Sequence, residues 1–225
     1  MPTAYAPLFA GHAAWLDSHR GWDAGALTLA RCMARAAGAP LHAATVTRLL
    51  IDLNRSIGHR QLFSPFTRAL APADRQAIVD RHYRPHRDRV AATIAAHIAA
   101  GRRVVHVASH SFTPVLDGKL RQVDIGWLYD PRRHGEASFV RAWMALAAPA
   151  APGLRLRRNA PYRGRADGLT AWLRQRHPDD AYVGIELEVN QRFVGQGGAP
   201  WRALQTALTD ALVATWSAGA GGPLR

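Results

Sequence analysis

The sequence predicts an α/β protein in three layers, a mixed sheet covered on both faces by helices. Three observations carry this. Apolar periodicity switches along the chain between helical and strand-like spacing, strand candidates alternate with helix candidates, and no repeat or low-complexity tract breaks the alternation.

Taken in order, Ala24 to Ala37 places Ala26, Leu29, Ala30 and Met33 at helical spacing, and Gly38 stops it. Ala44 to Leu53 reads as a β-branched and leucine-rich strand. One helix opens near Pro72-Ala-Asp-Arg, and another runs from Arg87 to Ala100 with Gly101 as its stop. The apolar run from Val104 to Ser109 follows directly as a strand, and its continuation His110-Ser-Phe-Thr-Pro ends in histidine, hydroxyls and proline. Further strands are expected over Val123 to Tyr129, Leu154 to Arg158 and Tyr182 to Asn190, with helices near Glu136 to Ala148 and Leu169 to Arg176. A last helix, Ala203 to Ser217, carries Leu204, Ala207, Leu208, Ala211, Leu212 and Trp216 on one face.

Composition narrows the function classes. At 225 residues the chain can bury one sizeable core, and nothing in it reads as an interdomain linker, so one domain over 1–225 is expected. The formal charge of +13 suggests nucleic acid, but Lys119 is the only lysine and the arginines are scattered rather than massed in a block or stripe. Nucleic acid is therefore not the expected partner. Cys32 is the only cysteine, which excludes an internal disulfide framework and a multi-cysteine zinc cluster, and its helical context reads as a small buried hydrophobe. No secretory signal and no apolar stretch of bilayer length are present, so a cytoplasmic protein without a membrane partner is expected.

Polar residues that interrupt apolar strands mark four constellations, because a buried charge is costly without a partner, a metal or a substrate. In His19-Arg-Gly-Trp-Asp23, Asp23 serves either as a helix N-cap or, with His19 four residues away, as a ligand for a divalent metal. In Asp52-Leu-Asn54-Arg55, Asp52 pairs with Arg48 or Arg55, or else Arg55 grips a substrate carboxylate bidentately while Asn54 adds an amide contact. His106 and His110 share one face of their strand; His106 reads as a hydrogen-bonded core residue, and His110 stands at the carboxyl edge where ligands gather. In Glu186-Leu-Glu188-Val-Asn190, two carboxylates share a face, which calls for arginine partners or for a general base beside a metal-bound water.

These segments, with Asp124-Ile-Gly-Trp-Leu-Tyr-Asp130 and Asn159-Ala-Pro-Tyr162-Arg-Gly between them, together resemble the N-formylglutamate amidohydrolase (N-formylglutamate deformylase) family. The match runs in order from Trp22-Asp23-Ala-Gly-Ala to Glu186 to Gln191 and spans nearly the whole chain. The resemblance implies a metal-dependent hydrolase similar in architecture to zinc carboxypeptidases and aspartoacylase-like deacylases, acting on N-formyl-L-glutamate from histidine degradation or on a similar N-acyl amino acid. It implies Asp23 and His110 as metal ligands with His19 as a ligand or supporting partner, and a divalent metal, zinc first. It further implies Asn54 and Arg55 as the carboxylate grip, Glu188 as the base with Glu186 as the second choice, and Arg121, Tyr162 and Arg163 as substrate or oxyanion contacts.

The same resemblance implies a strand upstream of Pro2-Thr-Ala-Tyr5 that ends in a Glu-His-x-Gly type motif with a metal-binding histidine. This chain starts at Met1, past that point, and His12 stands in the wrong context to replace it. The expectation is a domain truncated at its N-terminus relative to the family, lacking its first strand, through a misassigned start or a real loss. The alternative to an active enzyme is an impaired member that binds acidic metabolites or partners through arginines such as Arg55 and Arg163. Acyl selectivity and oligomeric state are not readable from these motifs.

Overall fold

The computed structural model describes residues 2–220. Its strands are β1 (Val104–Phe112), β2 (Val115–Leu116), β3 (Lys119–Leu120), β4 (Ile125–Leu128), β5 (Leu156–Arg158) and β6 (Tyr182–Asn190). Its α-helices are α1 (Ala13–Leu16), α2 (Ala26–Ala37), α3 (Pro65–Arg68), α4 (Pro72–Ile78), α5 (Arg84–Ala99), α6 (His134–Ala147), α7 (Leu169–Arg174), α8 (Arg192–Gln196) and α9 (Gly198–Thr215). A 3-10 segment, Thr3–Phe9, precedes them, and a π-helical turn, Val79–Tyr83, joins α4 to α5.

The main sheet has the order β1-β6-β4-β5 and is mixed, with β1 parallel to β6, β4 antiparallel to β6, and β5 parallel to β4. Alternation along β6 separates its two faces. Val183, Ile185, Leu187 and Val189 pack with Ile125 and Trp127 against Leu29 and Met33 of α2, Val140 and Trp143 of α6, and Leu204, Leu208 and Leu212 of α9. The opposite face begins with Tyr182, which packs with Val90 and Ile94 of α5 and Leu169 and Leu173 of α7, and continues into the polar series Glu186, Glu188 and Asn190. The expected layered mixed sheet flanked by helices is thus present. Among the described residues no helix is long and apolar enough to cross a membrane.

The predicted strand over Ala44 to Leu53 does not form. Leu49, Leu50 and Ile51 are all buried, in a separate cluster with Phe9, Leu62, Ile78, Val79 and Tyr83, so the run has no exposed face to alternate with. Its backbone is spent on turns and long-range bonds. Leu50 N–H donates to Thr47, Arg48 N–H to Gly21 and Asp52 N–H to Leu62, while the Thr67 hydroxyl donates to the Leu50 carbonyl. Cys32 is another correction, being exposed. The buried stripe of α2 is Ala26, Leu29 and Met33, and Cys32 falls on its other side.

β1 runs to Phe112, past the predicted Ser109, because its register with β6 continues through His110 opposite Glu188 to Phe112 opposite Asn190. It is also an edge strand. Val104 N–H donates to Ala181 and Phe112 C=O accepts from Gln191, so the backbone groups of Val105, Val107, Ser109 and Ser111 point away from β6. They border a groove of about 1060 Å³ walled by α2, residues 38–46 and α5, which reaches Asp23 and His110 at its end.

Candidate active site

His110 and Glu188 stand opposite each other near the carboxyl ends of the parallel pair β1 and β6. Asp23 reaches them from the turn before α2. It does not cap the helix, whose N-cap is Gly25 without a side-chain bond; its carboxylate goes to His110 Nδ1 at 2.7 Å and to an Arg48 guanidinium nitrogen at 2.7 Å. Arg48 spans to a second carboxylate, Asp52, at 3.1 Å. Asp52 thereby takes the structural role open to it in the sequence.

These charges set one another. Burial pushes Asp23 up, but the Arg48 charge and the His110 hydrogen bond outweigh it and hold the carboxyl down at about 2. Burial pushes His110 down, yet the bond to Asp23 and the charges of Asp23, Glu188 and Glu186 raise it to about 9, so the imidazole is protonated at neutral pH. Glu188 rises to about 8, through burial first, with the His110 charge opposing and Asp23 and Glu186 reinforcing. One of its oxygens, Oε2, is buried without a hydrogen-bond partner among the described residues.

Glu186 is differently placed. Its Oε1 accepts from the Thr170 hydroxyl at 2.9 Å and from Asn54 Nδ2 at 3.5 Å. Asn54 Oδ1 in turn accepts from Leu169 N–H at 2.8 Å. Arg55 donates to the Asp167 carbonyl at 2.7 Å, its Nε is buried without a hydrogen-bond partner among the described residues, and Ser56 binds the Asp167 carboxylate through both its amide and its hydroxyl. Asn54 and Arg55 therefore tie the turn after Asp52 to the segment that opens α7. Thr170 carries no signal in the sequence that would single it out, and Arg48 could be read there only as a partner for Asp52.

At the rim, Arg121 stacks between Phe112 and Tyr162, 5.4 and 4.8 Å from their ring centres, and donates to the Tyr162 hydroxyl at 2.9 Å. Arg163 is exposed beside Tyr162. His19 is half-buried, and burial followed by the charges of Arg20, Arg121 and Arg48 lowers its pKa against a smaller pull from Asp117. His106 lies deeper along β1, bonded to the Tyr182 hydroxyl at 2.8 Å and pushed down to about 4 by burial and then Arg174, as suits a neutral core histidine.

The structure thus brings Asp23, His110, Glu188 and Glu186 together and leaves His19 outside their group. Among the described residues, no set of three His, Cys, Asp or Glu side chains is arranged to hold a metal ion. Asp23 and His110 spend their facing atoms on each other, and Arg48 takes the second Asp23 oxygen. These residues do not fit a catalytic zinc centre, which needs three protein ligands and an open position.

The family model described as N-formylglutamate amidohydrolase matches residues 2–194. A crystal structure of a gene product from Agrobacterium tumefaciens is 31% identical with a TM-score of 0.81, over 97% of this chain and 86% of that one. The crystal structure of N-formylglutamate amidohydrolase from Ralstonia eutropha shares the fold with a TM-score of 0.65 at 20% identity, over 86% of this chain and 81% of that one. No curated protein matches. On the family match and the similarity to the Agrobacterium protein, the chain belongs to the N-formylglutamate amidohydrolase family.

Proposed function

We propose that this amidohydrolase cleaves the formyl amide of N-formyl-L-glutamate, or the amide of a similar N-acyl amino acid, at the carboxyl ends of β1 and β6. The observation that carries the reading is the buried, unpartnered Glu188 Oε2 in register with His110. A carboxyl with a pKa near 8 gives and takes protons close to neutral pH. Glu188 takes a proton from water as the water oxygen attacks the formyl carbon, and returns it to the nitrogen as the C–N bond breaks, leaving formate and the free amino acid. Protonated His110, held by Asp23, and Arg48 supply positive charge for the carbonyl oxygen as it becomes anionic. Glu186, engaged by Thr170 and Asn54, contributes negative charge that makes the ionised Glu188 carboxylate a stronger base toward the water proton.

The acidic substrate is held, in this proposal, by Arg121, Tyr162 and Arg163 at the rim and by Arg55 and Asn54 below. Kinship with zinc carboxypeptidases and aspartoacylase-like deacylases, and a cytoplasmic setting, belong to the same proposal. Zinc is assigned no step, because Asp23 and His110 alone do not complete its ligand set and His19 does not join them.

The test is incubation with N-formyl-L-glutamate, with formate and L-glutamate measured. Equal amounts of both support the reading, and no formate with or without added zinc overturns it. The incomplete ligand set favours a second reading, an impaired family member that binds acidic metabolites through its arginines. Under it N-formyl-L-glutamate binds without turnover, and Glu188→Gln leaves that binding unchanged.

A further inference from the structure

β6 has nine residues and β4 only four, and the ladder between them ends where Leu128 meets Glu186. Backbone groups of even-numbered β6 residues face the β4 side, as the bond from Asn190 N–H to Asp124 shows. Tyr182 and Gly184 therefore present polar groups where no strand among the described residues covers them. Side chains take the place of that strand. Arg133 donates to the Tyr182 carbonyl at 2.9 Å, Glu136 accepts from Gly184 N–H at 3.2 Å, and Arg174 donates to the Gly184 carbonyl at 2.7 Å.

Arg174 does more than finish the ladder. Its Nε donates to Glu136 at 2.8 Å and its remaining terminal nitrogen to the Gly164 carbonyl at 2.6 Å. The guanidinium is almost wholly buried and Glu136 completely so. One planar group thus joins α7 and α6 to β6 and to the loop that carries Tyr162 and Arg163. That loop is pressed against the sheet at Gly164, where a Cβ would overlap the Tyr129 backbone.

We propose that Arg174 is a positioning residue that sets the substrate loop, residues 159–168, at a fixed height over the strand bearing Glu186 and Glu188. The proposal rests on the reading of Tyr162 and Arg163 as substrate contacts. It follows from acceptor geometry. Three acceptors on three elements fit one forked donor, and a lysine ammonium on a flexible stem does not reproduce that planar fork.

Arg174→Lys keeps a positive charge against Glu136 and removes the fork. Hydrogen exchange is expected to speed up at least tenfold, roughly, at the Gly164 and Ala166 amides and to stay unchanged at Val183 and Ile185, which face β1. A merely structural role would speed all four together through global opening, and that result, or no change at Gly164 and Ala166, overturns the proposal. With N-formyl-L-glutamate, KM is expected to rise roughly tenfold while kcat stays within about threefold. A fall in kcat at constant KM overturns it. If neither protein turns the substrate over, the proposed function fails while the exchange result still decides the role of Arg174. If the lysine variant does not fold, exchange in the native protein decides: Gly164 and Ala166 protected as strongly as β6 support the proposal, and fast exchange there overturns it.

Discussion

His110 Nδ1 lies 2.7 Å from Asp23 Oδ2, joining the carboxyl end of β1 to the turn before α2. Residues 87 positions apart thereby form one half-buried ion pair, and Arg48 closes it from the other side of the carboxylate. The pair orients the imidazole and keeps it charged opposite Glu188.

Asp23→Asn removes the charge that keeps His110 protonated. The imidazole titration, followed by NMR, is expected to fall well below about 9, because burial is then opposed only by the charges of Glu188 and Glu186. Formate release at neutral pH should drop roughly 100-fold or more as the oriented cation is lost. A His110 titration that stays near 9 contradicts the assignment.

Stability should decline as pH rises from mildly acidic to alkaline. Glu188, raised to about 8, keeps its proton in the folded state while the unfolded chain loses it above 4.5, so stability falls between those values. His110, raised to about 9, stabilises fully below 6.5 and stops doing so as pH passes 9. Asp23, lowered to about 2, acts at the other end: its contribution is present above 3.8 and lost as pH falls through 2. Each group changes stability by at most about 1.4 kcal/mol per pH unit within its window. Denaturant midpoints across pH check this, and Glu188→Gln should flatten the decline between pH 4.5 and 8.

Gly164→Ala forces a Cβ into the Tyr129 backbone, where no side chain can swing aside. A loss of roughly 1–3 kcal/mol is expected, since overpacking against backbone is relieved only by moving the loop. Urea unfolding measures it. An unchanged midpoint would show that the loop is free to lift off the sheet.

Zinc titrated into the protein by calorimetry should show no saturable binding below about 1 µM, because two donors that already hold each other and Arg48 make a poor site. Tight one-to-one binding would mean that a third donor reaches Asp23 and His110.

The sequence was most legible where periodicity and chemistry agreed. β6 is found at its predicted bounds, since four alternating apolar residues define one face and three polar ones the other. His110 and Asp23 bond each other and Glu188 stands opposite His110, because charged groups shielded from water must find partners. Where the apolar run had no polar face, around Leu50, periodicity could not distinguish a strand from a buried chain of turns. The short α1, α3 and the β2–β3 hairpin lie below the length at which a period declares itself. Arg48, Thr170 and Arg174 were illegible as site residues for another reason. Their partners are 10 to 38 residues away, except where Arg48 meets Asp52, and only the fold brings those acceptors within reach.

The dependence of kcat/KM on pH for N-formyl-L-glutamate, measured for the native protein and for Glu188→Gln, tests the role of Glu188 most directly. The native rate is expected to rise as Glu188 loses its proton near pH 8, and the glutamine variant to be slower by roughly 100-fold or more with that rise abolished. A glutamine variant that keeps the native rate and the same rise would contradict the account.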